Sequence, residues 1–119
     1  MPNAELAYRV LDHITAHPKE WNQTIYLRKD HCGTAACFAG WTVLLSGDRP
    51  NWSEGWPAHG GEVTDVVTAA QSPDSVCVSD RATELLDITS WDAFGLFDAN
   101  NSMDDLCEQV VDIFGPRPA

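Results

Sequence analysis

The chain has no apolar run long enough to cross a bilayer as a helix, and its opening residues, Met1-Pro-Asn-Ala-Glu5, lack the basic and apolar regions of a signal peptide. The expectation is a cytoplasmic protein with no membrane association. It has no internal repeat, no low-complexity tract and no C-x-x-C pair, so the commonest zinc-site spacing is missing. The most telling scarcity is positive charge. Residues 1–53 balance five acids with five bases, whereas residues 54–119 set thirteen acids against Arg81 and Arg117 alone. The formal net charge of −11 therefore lies entirely in the second half. Such a surface repels nucleic acid and anionic lipid and attracts basic protein surfaces. Direct DNA or RNA binding is disfavoured on that ground.

What is present is enough for one core. A chain of 119 residues, 44% hydrophobic, buries a core without staples, and a single domain spanning 1–119 is expected. Its centre is the stretch His31-Cys-Gly-Thr-Ala-Ala-Cys-Phe-Ala-Gly-Trp41, which runs on into Thr42-Val-Leu-Leu45 and Ser46-Gly47. The pattern predicts a buried central helix at about 34–46, with Thr34 as its N-cap and Gly47 in the left-handed conformation at its end. Ala35, Ala36, Phe38, Ala39, Val43, Leu44 and Leu45 leave no polar face, so the helix is expected to be enclosed on most sides. Gly40→Leu should overpack it, at roughly 1–3 kcal/mol or more.

Around that centre the periodicities predict further helices. Leu6, Val10, Leu11 and Ile14 recur at helical spacing, with Asn3 as cap and Pro18 as stop. Ile25-Tyr-Leu27 reads as an irregular strap across the core, with a short extended segment as the alternative. Residues 48–78 form a long loop or variable insertion, which in a compact domain is functional or hides short elements. Within it Val63, Val66, Val67 and Ala70 suit a short helix, and their β-branching keeps a strand open. Val76-Cys-Val78 alternates as a short extended piece. Ser79 or Asp80 caps a helix with Ala82, Leu85 and Leu86. Thr89-Ser-Trp-Asp92 and Ser102-Met-Asp-Asp105 both fit the capping box and open two more helices, carrying Phe94 and Phe97, then Leu106, Val110, Ile113 and Phe114. The fold class expected is mainly α, five or six helices around the central one, with one short β-hairpin or extended pieces within 60–78.

Chemistry-bearing residues are few and scattered. In the cytosol the four cysteines should be reduced or metal-bound rather than paired as disulfides. His31, Cys32 and Cys37 place three soft or borderline donors in seven residues near a helix N-terminus, where a thiolate is favoured, and they are the candidate metal ligands, for zinc. The bland reading is that Cys37 is a small core hydrophobe. A cysteine–histidine hydrolase would need an orienting third group, and none is identifiable near His31 or His59. His13 and His17, four apart on the first helix, have metal spacing, but an exposed histidine at the helix C-terminus is the simpler reading. Asp98, Asn100, Ser102 and Asp104 mimic a calcium loop, yet Met103 stands at the glycine position and Gln109 at the bidentate glutamate position, so calcium is rejected. Candidate partner-binding residues are Trp52 and Trp56 in the long loop, with Asp104, Asp105, Glu108 and Asp112 as an acidic ridge on the last helix. The ridge also reads as an ordinary solvated face.

Residues 5–18, Cys32-Gly-Thr-Ala-Ala-Cys-Phe-Ala-Gly-Trp41, Arg81-Ala-Thr-Glu-Leu-Leu86 and Leu96-Phe97 with the closing helix resemble small proteins of actinobacteria and their phages that carry a CGTxxCxAGW segment. The resemblance covers most of the chain outside 48–78. It implies an accessory protein rather than a metabolic enzyme and transfers no residue role. The functional expectation is thus a non-enzymatic, acidic protein-binding module without cofactor, such as an inhibitor or nucleic-acid mimic acting on a basic partner. The alternative is a small zinc or redox protein centred on His31, Cys32 and Cys37.

Overall fold

The computed structural model describes residues 2–30, 33–50, 61–63, 65–67 and 75–118. Among them are five α-helices: α1 Ala4–Ala16, α2 Phe38–Leu45, α3 Val78–Leu86, α4 Ser90–Leu96 and α5 Met103–Phe114. A 3-10 turn, Pro18–Glu20, follows α1. Between it and α3 run six short strands: β1 Leu27–Asp30, β2 Gly33–Ala36, β3 Arg49–Pro50, β4 Gly61–Val63, β5 Asp65–Val67 and β6 Ser75–Cys77. They pair antiparallel in two small sheets of order β2-β1-β4 and β3-β5-β6. The fold is mainly helical, as expected, and its core sits where α2 packs against α1 and α3 while α5 packs against α1 and α4.

The capping signals that are local act where the sequence puts them. Asn3 Oδ1 accepts from Leu6 N at 3.1 Å, Thr89 Oγ1 from Asp92 N at 3.1 Å, and Ser102 with Asp105 closes a full capping box. Gly47 takes φ 94° immediately after α2, the left-handed exit that only glycine adopts without strain.

Four expectations are corrected in whole or in part. The central helix is shorter than 34–46: Gly33–Ala36 is extended and pairs with β1, register Leu27↔Ala36 to Asp30↔Gly33. Thr34 therefore caps nothing. Cys37 occupies the N-cap position without a side-chain cap bond, and the Phe38 N–H is instead met by Oε1 of Gln23 at 3.1 Å, fifteen residues away. Of the Ile25-Tyr-Leu27 strap, Ile25 and Tyr26 are irregular as expected, and Leu27 alone belongs to a strand, pairing on both sides with Ala36 and Val63. Val63, Val66 and Val67 lie in β4 and β5, not in a helix, since strand pairing satisfies their backbones and suits β-branched residues. Finally α3 begins at Val78, ahead of Ser79 and Asp80, with Val78 fully buried against the core.

α2 is enclosed over its first six residues, Phe38 to Val43. Gly40 is the reason it can lie so deep: a Cβ there would stand 1.8 Å from the Tyr26 carbonyl oxygen and 2.7 Å from Ala36 Cβ. At the other end, the buried Asp48 carboxylate accepts from Arg81 Nε at 2.8 Å, joining the exit of α2 to α3. The C-terminal residues are strapped back over α1. Tyr8 Oη donates to Gly115 O at 2.6 Å, and Arg117 donates to both Asp12 oxygens at 2.8 Å while lying 4.8 Å over the Tyr8 ring.

The strap carries a pH signature. The Arg117 hydrogen bonds hold the Asp12 carboxyl below the ordinary carboxylate range. A depressed folded-state value means the contribution is fully present above the ordinary value and is lost as pH falls through the folded one. Asp12→Asn should therefore melt slightly below wild type at pH 7, and the gap should close in acid below about pH 4. Thermal melts from pH 7 to 2 check this; a gap that stays constant with pH rules the ion pair out as its source.

Candidate partner-binding face

α4 has only seven residues, and its placement depends on side chains from elsewhere. Thr89 caps its start. At its end Asn101 Nδ2 donates to the carbonyls of Gly95 at 2.8 Å and Leu96 at 3.0 Å. Gln23 Nε2 donates to those of Leu96 at 3.2 Å and Asp98 at 3.1 Å. The last carbonyls of so short a helix, which would otherwise lack partners, are thus satisfied and the helix is held on the body of the protein. Gln109 Nε2 in turn donates to Asn101 Oδ1 at 2.9 Å, tying this end to α5.

Held in this way, α4 buries Ala93 and Leu96 and turns the opposite stripe outward. Trp91 is 85% exposed and Phe94 79%, the two most exposed large hydrophobic side chains among the described residues. Isolated exposed apolar residues are ordinary, but two aromatic rings one turn apart on a pinned helix form a contiguous patch. Beside them a groove of about 490 Å³ opens between α3 and α4, and Tyr26, Phe94, Phe97, Asp80 and Asp98 are among the residues lining it. The charge along this part of the sequence has one sign. Residues 82–116 contain eight acids and no lysine, arginine or histidine.

The acidic ridge foreseen on the last helix is present. Asp104, Glu108 and Asp112 are exposed along α5, with Val111, 52% exposed, among them. Asp105 is also exposed, but its carboxylate accepts from the Ser102 N–H at 2.9 Å and is occupied as a cap. Trp52 and Trp56 lie outside the described residues, as do His31, Cys32 and His59. Trp91 and Phe94 are what the sequence reading missed as a surface. The signal was there: with the helix starting after Thr89, Ala93, Leu96 and Phe97 form one stripe. Trp91 and Phe94, spaced i and i+3, form the opposite one.

Cys37 sits as the bland reading has it, a small residue in the core. The residue is 2% exposed, and loss of water around its sulfur pushes the thiol up, outweighing the Gly40 and Ala39 N–H groups that pull it down. Among the described residues no three His, Cys, Asp or Glu side chains gather as metal ligands. Native alkylation followed by peptide mass spectrometry should leave Cys37 unmodified while the half-buried Cys77 and Cys107 react; labelling of Cys37 before unfolding would contradict its burial.

His17 behaves as the bland reading has it, exposed at the end of α1 with Nδ1 3.0 Å from the His13 carbonyl. His13 is sandwiched between the His17 ring at 4.6 Å and the Trp41 ring at 4.2 Å, with Nε2 3.2 Å from Glu20 Oε1. The Trp41 indole donates to the Glu20 carbonyl at 2.7 Å, so the cluster anchors the 3-10 turn to α2. No helix among the described residues is long and apolar enough to cross a membrane. No protein-family model, curated protein or solved structure matches the chain.

Proposed function

We propose that this chain is a non-enzymatic, acidic protein-binding module whose contact face is α4 and the groove beside it, acting on a partner with a basic surface. The observation that carries the reading is the exposure of Trp91 and Phe94 on a pinned helix inside a stretch with eight acids and no base. Aromatic side chains are the commonest anchors of protein interfaces, and a one-signed rim selects partners of opposite charge and speeds encounter. The α5 ridge of Asp104, Glu108 and Asp112 contributes to that steering field. An inhibitor that competes with nucleic acid for a basic protein surface fits the same chemistry.

Selection from a displayed random-peptide library tests it. Enriched peptides should combine Lys or Arg with an apolar anchor, and their affinity should fall as salt rises. The double variant Trp91→Ala, Phe94→Ala should weaken them by about 30-fold or more, the size of a hot-spot truncation. Reversing Asp104, Glu108 and Asp112 to lysine should slow association more than it speeds dissociation. No enrichment, or equal binding by the double variant, overturns the reading.

A further inference from the structure

We infer that the groove between α3 and α4 seats a cationic side chain, arginine or lysine, of the basic segment that docks on this face. The inference rests on the partner-binding reading above and adds the chemistry of the groove itself. Two kinds of wall meet in its roughly 490 Å³. Tyr26, Phe94 and Phe97 are its aromatic lining residues; Asp80, on α3, and Asp98, just past α4, are its acidic ones.

Neither carboxylate meets a basic side chain among the described residues. Arg81, the neighbour of Asp80 in sequence, is committed to Asp48 and Glu84. Asp98 is exposed, and its Oδ1 accepts the local Asn100 N–H at 2.8 Å. An anionic occupant is repelled by both acids. A purely apolar occupant would strip water from two carboxylates and return nothing. A guanidinium or ammonium group answers both walls at once, lying over the rings and hydrogen-bonding to the carboxylates. The ring of Tyr26 belongs to a fixed wall, because its own backbone is pressed against Gly40 of the buried helix. Phe94 serves two surfaces, closing the groove on one side and standing in the exposed aromatic patch on the other.

The test uses the full chain and two neutral-capped probes, N-acetyl-L-argininamide and its uncharged isostere N-acetyl-L-citrullinamide, in ¹H–¹⁵N NMR titrations. The arginine compound should give saturable shifts at the amides of Tyr26, Thr83, Phe94 and Asp98, and the citrulline compound should not. Asp80→Asn with Asp98→Asn should weaken the arginine titration about 3- to 10-fold, and Phe94→Ala by a similar factor. Trp91→Ala, whose ring is not among the groove walls, should leave it within about twofold. Equal shifts with citrulline, shifts centred on α5, or an unchanged Asp80→Asn, Asp98→Asn variant would overturn the inference. Peptides that depend on Trp91 but no arginine titration would remove the groove assignment alone. Arginine titration with no Trp91-dependent peptide would remove the docking reading and leave the groove's preference for cations.

Discussion

Replacing Gly40 with alanine is expected to cost about 3 kcal/mol or more, a large share of the 5–15 kcal/mol that stabilises a domain of this kind. On an open helix the same change would be favourable by about 0.5–1 kcal/mol, since alanine has the higher helix propensity. The sign is reversed here because the added methyl would lie 1.8 Å from the Tyr26 carbonyl oxygen and 2.7 Å from Ala36 Cβ. The first of these is backbone held in place by the Cys37 N–H bond to the Ile25 carbonyl at 2.9 Å and by the strand that follows. It cannot swing aside as a side chain does. Gly95→Ala in α4 is the control: its Cβ would meet only Gln109 Oε1 at 3.3 Å, the tip of a flexible side chain, and stability should stay within about 1 kcal/mol of wild type. Urea unfolding of both variants decides the matter, and equal midpoints would show that the backbone yields.

Asp48→Ala is expected to be as damaging, at about 3–5 kcal/mol, because it strands a charge. The Asp48 side chain has no exposed surface and that of Arg81 is 15% exposed, so the guanidinium left behind has little access to water. Asp48 is also the largest cause holding Arg81 firmly in its charged form. The Glu84 partner is 74% exposed and cannot compensate; Glu84→Ala should cost under about 1 kcal/mol. Removing both charges, Asp48→Ala with Arg81→Met, should be milder than Asp48→Ala alone, because the guanidinium is then no longer left without its carboxylate. If Asp48→Ala costs no more than Glu84→Ala, the pair is ornamental and α2 is tied to α3 by apolar packing only.

How much of this was legible in the sequence follows from how far each signal reaches. Asn3, Thr89, Ser102 and Gly47 act on backbone groups within four residues, and all four could be read directly. The start of α2 could not, because its first N–H is capped by Gln23 and the residues before it are drawn into a strand by β1. Ala35 and Ala36 have little intrinsic preference for strands, so nothing local announced it. Val63, Val66 and Val67 satisfied a helical spacing and a strand composition together, and pairing across the chain settled the choice. Burial of α2 was plain from its unbroken apolar face, and so was the charge asymmetry. The outward aromatic pair was carried by the helical spacing yet overlooked, since a hydrophobic ring is ordinarily a core residue; the seating of α4 by Ala93 and Leu96 turns Trp91 and Phe94 away.

Gln23 joins these observations in a way its position in an irregular segment hides. Its oxygen accepts from Trp21 Nε1 at 3.0 Å and from the Phe38 N–H, while its nitrogen donates to the carbonyls of Leu96 and Asp98. Every hydrogen-bonding position of one buried amide is in use, two as acceptor and two as donor. The orientation of the amide is therefore unique, and no isosteric side chain can stand in. Hydrolysis of that amide during the lifetime of the protein would exchange an NH₂ for an oxygen and set a carboxylate against two carbonyl dipoles. The helix bearing Trp91 and Phe94 would then lose one of its fastenings, leaving Thr89 and Asn101, through chemical ageing at a site outside its own sequence.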